Sequence, residues 1–88
     1  MVTHGTRWFY PPVPVKGERP GVIHNVSNVQ AASKNLLKWT KRGPKWDLAM
    51  RVCMAALADQ ATAQEAREAF RAAAKEEGML LAAHEGID

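Results

Sequence analysis

Residues Gly43–Asp59 read GPKWDLAMRVCMAALAD, the one run in the chain that is apolar on nearly every side. At 100° per residue, Trp46, Met50, Cys53, Met54 and Leu57 fall together on one helical face. Leu48, Val52 and Ala55 fall on the next face, with Ala49 and Ala56 between them. Only Asp47 and Arg51 mark a polar stripe, so the apolar arc covers roughly 260°. A surface helix carries a narrower stripe. The pattern therefore predicts a helix buried between other elements, with the rest of the chain packed on it. Pro44 suits its first turn, where a backbone N–H has no helical partner to lose.

Upstream, Ser27-Asn28-Val29-Gln30 has the form of a capping box, with Ser27 at the N-cap and Gln30 three residues on. In the helix it opens, Val29, Ala32, Leu36, Leu37 and Trp39 share one side and Lys34, Lys38, Lys41 and Arg42 the other. Gly43 is placed to stop that helix. Before it, Trp8–Lys16 (WFYPPVPVK) alternates: Phe9, Val13 and Val15 face one way and Tyr10 the other. Pro11, Pro12 and Pro14 cannot donate to a ladder, which predicts an edge strand or a polyproline-like arm. Lys16–Gly21 (KGERPG) supplies turn residues, and Val22–Val26 completes a hairpin.

Downstream, Thr62-Ala63-Gln64-Glu65 is a second capping box. The helix that follows has a buried line of Ala66, Ala69, Phe70, Ala73 and Ala74. Arg67, Glu68, Arg71, Lys75 and Glu76 face water. Gly78 is its stop signal, with Met79 as the apolar contact of the cap. Residues 79–84 (MLLAAH) read as a third strand. The expected fold is a single small α+β domain, ββαααβ, over residues 8–84. Residues 1–7 are a flexible end and residues 85–88 a tail.

Leu, Ile, Val and Phe total 17 of 88 residues, so the core has to lean on tryptophan, methionine and alanine as well. A domain of this size is marginal, and a homo-oligomeric interface would help it. One cysteine excludes an intrachain disulfide and a multi-cysteine zinc site. No basic leader precedes an apolar run, and no apolar run approaches a membrane span. The expectation is a cytoplasmic protein with no membrane association. Charge is uneven. Residues 1–33 carry +3 and −1, residues 34–58 +6 and −1, and residues 59–88 +3 and −7, giving +2, +5 and −4.

The succession PVPV (Pro12–Val15), GVIHNV (Gly21–Val26), LLKW (Leu36–Trp39), RGP (Arg42–Pro44), CMAAL (Cys53–Leu57) and AREAF (Ala66–Phe70) resembles a family of small alphaproteobacterial proteins classed as a domain of unknown function. The resemblance covers roughly residues 9–81. It implies a compact α+β domain of bacterial origin and no reaction, cofactor or site residue. Thr40 stands where the family pattern has proline after the tryptophan.

The residues themselves assemble no chemistry. Cys53 has Ala49, Met50, Ala56 and Leu57 as helical neighbours, which suits an apolar filler rather than a nucleophile. His4, His24 and His84 have no helical metal-site spacing, and no phosphate-binding glycine loop is present. We therefore expect no enzyme, no cofactor and no metal. Two binding surfaces remain. One is the Pro-rich arm, with Trp8, Tyr10 and Pro12 as candidate protein contacts. The other is the basic run Lys34, Lys38, Lys41, Arg42 and Lys45, a candidate contact for nucleic acid or an acidic partner. The second is the weaker. Trp39 and Trp46, the aromatics that would stack on bases, read as core, and the second helix lacks polar side chains for base edges. The expected function is a non-enzymatic binding or regulatory module with a protein partner, a second copy of the chain among the options. Nucleic acid is the alternative.

Overall fold

Strand β1 (Trp8–Lys16) pairs with β2 (Ile23–Asn28), and three helices follow: α1 (Val29–Lys38), α2 (Pro44–Leu57) and α3 (Ala63–Glu76). The structure, a computed structural model, describes residues 6–81. The hairpin is antiparallel, with Val13 opposite Val26 and Val15 opposite His24. Phe9, Val13 and Val15 are buried, as their alternation predicts. The register is irregular between Trp8 and Val13, and Pro11 and Pro12 lie in that irregular stretch. Their missing N–H groups are therefore not asked to continue the ladder. In the turn, the Gly17 N–H donates to the Val22 carbonyl at 2.7 Å, and a Cβ on Gly17 would lie 2.5 Å from Val22 Cγ1.

β1 is not the free edge its prolines suggest. Its far side meets the segment after α3: the Lys16 N–H donates to the Met79 carbonyl at 2.9 Å and the Leu81 N–H to Pro14 at 3.0 Å. Val15 and Leu80 form one isolated bridge. Among the described residues this is a single bridge and not a third strand, so the observed order is ββααα. Residues 82–84 of the expected strand, the tail over 85–88 and residues 1–5 lie outside the described residues.

Two expected helix boundaries move, for identifiable reasons. The first is the N-cap of α1, which is Asn28 and not Ser27: Asn28 Oδ1 accepts the Ala31 N–H at 2.7 Å. β2 runs through Asn28, which pairs with Trp8, so the strand claims Ser27 and the helix starts one residue later. Gln30 is diverted as well, its Oε1 accepting the Arg7 N–H at 3.1 Å. Replacing Asn28 with alanine will cost about 1 kcal/mol in urea unfolding, and Ser27→Ala distinctly less. Equal losses would contradict this assignment.

The second is the C-terminus of α1, which ends at Lys38, before Gly43. Trp39 turns out to an extended backbone. The carbonyls freed by that stop are taken by side chains from beyond it. Arg42 donates to Trp39 and Leu37, at 3.1 and 2.9 Å, and Trp46 Nε1 donates to Leu36 at 2.7 Å. Leu37, placed on the buried side by its spacing, is exposed.

Gly43 is instead the N-cap of α2, and it has no side chain to offer. Two carboxylates from the end of α3 replace one. Glu77 accepts the Gly43 N–H at 3.0 Å and Glu76 the Lys45 N–H at 3.1 Å. Negative charge suits a helix N-terminus. The α3 start follows its sequence signature, with Thr62 Oγ1 accepting the Glu65 N–H and Glu65 accepting the Thr62 N–H. It ends at Glu77, followed by Gly78 at φ +73°.

The expectation that α2 is the buried centre is not met. On α2 only Ala49, Cys53 and Ala56 are buried, while Leu48 and Met54 are more than half exposed, at 53% and 57%. The central element is α3, which packs against α2, β1 and α1. Its Phe70 is fully buried and stacks on Trp39 with ring centroids 5.6 Å apart.

Candidate functional site

The groups with chemical potential come first. Cys53 is fully buried, and burial pushes its thiol up to about 11. A thiolate is not on offer there at neutral pH. Among the described residues no group of three or more His, Cys, Asp and Glu could hold a metal ion. His24 lines a small groove with Lys16, Glu18, Asn35, Lys38 and Trp39, and His4 and His84 lie outside the described residues. No helix among the described residues is long and apolar enough to cross a membrane.

The basic run is divided by the fold. Lys38 pairs with Glu18 at 3.0 Å, and that hydrogen bond and charge hold the Glu18 carboxyl below its ordinary range. Arg42 turns back onto the carbonyls of α1 and lies over the Trp46 ring, 4.5 Å from its centroid. The backbone of Lys45 meets Glu76. Lys34 and Lys41 are exposed. The structure thus places the charged groups of two of the five, Lys38 and Arg42, on a carboxylate or on the protein's own backbone, while the side chain of Lys45 is exposed like those of Lys34 and Lys41. As for the two tryptophans read as core, Trp39 is buried, while Trp46 is half-buried.

The Pro-rich arm presents a different picture. Trp8 and Tyr10 stand two residues apart on the same side of β1, exposed at 65% and 77%, while Phe9 between them is buried. Pro12, the third candidate, is half-buried. The backbone beneath these side chains is clamped from α3. Gln64 accepts the Tyr10 N–H at 3.4 Å and donates to the Tyr10 carbonyl at 2.8 Å. Arg67 Nε donates to the Pro11 carbonyl at 2.6 Å, across the cis Tyr10–Pro11 peptide. Arg67, expected to face water, is instead buried, with its outer nitrogen paired to Glu68 at 2.7 Å. One residue before the arm, Arg7 donates to the Leu57 carbonyl and pairs with Asp59 at 2.9 Å.

The arrangement is a short extended segment held from both ends with two large aromatics left outside. Each ring carries a polar atom at its tip, which suits an interface where an apolar body is covered and the tip finds a partner. Trp8, Tyr10 and Pro12 were legible as candidates from the sequence. Gln64 and Arg67 were not. They touch the arm across more than fifty residues of sequence, and neither carries a local signal of that contact.

Comparison with known proteins adds one match. A model of the family described as "Protein of unknown function (DUF982)" matches residues 11–81. No curated protein matches the chain, and no solved structure matches it.

Proposed function

The chain belongs to this family of unknown function, so its role has to be read from its own surface, and we propose that it is a non-enzymatic binding module that docks a protein partner on Trp8 and Tyr10. The observation that carries the reading is the pairing of exposure with rigidity: two aromatics at 65% and 77% exposure on a backbone clamped by Gln64 and Arg67. Aromatic side chains of this kind dominate binding energy at protein interfaces. Holding them in place beforehand lowers the entropy cost of binding. The partner this fits has an apolar depression for the rings and hydrogen-bond acceptors for the Trp8 N–H and Tyr10 O–H. What supports a protein over a nucleic acid is the engagement of Lys38 and Arg42 with groups of the chain itself.

The test is site-specific cross-linking in the native cell. A photoreactive phenylalanine analogue replaces Tyr10, with a second preparation carrying it at exposed Lys75 as control. The reading expects an adduct of one defined mass from position 10 that is lost on Trp8→Ala. Equal labelling from both positions, or an adduct indifferent to Trp8→Ala, would contradict it.

A further inference from the structure

The apolar arc of α2 is wider than the other described elements cover. One side packs on α3 and α1, and the other is left open. A shallow groove runs between α2 and α3 on that open side. Leu48, Val52 and Ala55 line it from α2, and Ala69 and Ala72 from α3. Leu48 is the exposed apolar side chain at its end. A helix that is apolar nearly all round is normally covered nearly all round. Here the sequence provides the apolar surface, and no element among the described residues covers it.

We propose that a second copy of this chain covers the groove, related by a two-fold axis running along it. The charges on the two walls select that occupant. The α2 wall carries Arg51, and the α3 wall carries Glu65 and Glu68. A partner of one charge sign meets one wall favourably and the other unfavourably. A two-fold axis along the groove sets each α2 over the other copy's α3, so Arg51 faces glutamate twice. A two-fold axis across the groove sets α2 over α2 and Arg51 towards its own copy, which is disfavoured. Such an interface is self-complementary, as two-fold interfaces are. Alanines along both walls let the helix pairs approach closely, since interaxial distance follows side-chain size. The intrachain Arg51–Asp47 pair is exposed on both sides and holds little free energy against a new partner, and Glu68, though it pairs with the buried Arg67, is itself more than half exposed. This proposal uses a different surface from Trp8 and Tyr10 and stands without that reading.

Sedimentation equilibrium of the purified full chain tests it. The expected mass is twice the 9.7 kDa of the chain. Arg51→Glu and, separately, Leu48→Glu weaken the dimer by at least about tenfold in Kd, with circular dichroism unchanged because both side chains are exposed. Adding Glu68→Arg to Arg51→Glu costs the fold the Glu68–Arg67 pair and yet recovers much of the lost dimer affinity, which a merely destabilised fold would not do. A wild-type monomer at the highest soluble concentration overturns the proposal. So does a dimer that neither single substitution weakens.

Discussion

Phe70→Ala will bring the domain to the edge of unfolding. Phe70 is fully buried on α3, the helix that touches α1, α2 and β1, and it stacks on Trp39. Truncating a buried phenylalanine costs about 3–5 kcal/mol, through lost transfer energy and the cavity left behind. A chain of this length has roughly 4–13 kcal/mol of stability in total. The cavity has little chance to close, because the neighbouring core side chains on α3 are alanines that cannot reach into it. The melting temperature should fall by roughly 15–35 °C. Phe70→Leu keeps most of the volume and should cost no more than about 1.5 kcal/mol. A loss below about 1 kcal/mol for Phe70→Ala would show that α3 is not the centre of the core.

Cys53 gives the second large effect, and it separates filler from nucleophile. Cys53→Ala should cost about 1 kcal/mol and leave the fold intact. Cys53→Asp should unfold the domain, because a carboxylate at that site is fully buried among Ala49, Ala56 and the apolar core. A bulky thiol reagent should label the native protein only as fast as it unfolds. The pH dependence has a defined sign. The thiol ionises near 9.0 when exposed and near 11 when buried. Below pH 9 both states keep the proton and the thiol contributes no slope. From pH 9 to 11 the unfolded chain releases it and the native chain does not, so stability falls as pH rises. The loss amounts to about 2–3 kcal/mol at most. Lysines also titrate in this range, so the readout is the difference between wild type and Cys53→Ala, which should shrink over that window and change sign towards its upper end. Fast labelling at neutral pH, or a constant difference, would place the sulfur in contact with solvent.

Much of the fold was legible because it is written locally. The alternation of Phe9, Val13 and Val15, the Thr62–Glu65 capping box and the stop at Gly78 each need only neighbouring residues, and each is found in the structure. The Ser27 box failed because Asn28 offers the same chemistry one position later, and a strand paired with Trp8 decides between them. Leu37 was misplaced because, at about 100° per residue, it is turned away from the buried line of Val29, Ala32 and Leu36; the early stop at Lys38 was missed because the groups that take its carbonyls, Arg42 and Trp46, come from beyond it. Arg67 reads as a surface cation until a proline-rich backbone arrives beside it from fifty-six residues away. α2 was misread for a different reason. A helical wheel reports that a surface is apolar, not that the same chain has an element to lay on it. The exposed Leu48 and the shallow groove beside it are the consequence.

The candidate contact was partly legible in the same way. Trp8 and Tyr10 announce themselves as large aromatics on the outer register of a strand. Their fixation by Gln64 and Arg67 is a tertiary fact, and it distinguishes a presented surface from a loose arm.

Under the proposed function, Trp8 and Tyr10 serve a partner and not the fold. Urea unfolding of the Trp8→Ala/Tyr10→Ala double variant, measured beside wild type and Phe70→Ala, tests it most directly. Side chains this exposed bury little area on folding, so the double variant should lose no more than about 1 kcal/mol. A loss as large as that of Phe70→Ala would show that the two aromatics belong to the core and would contradict the claim.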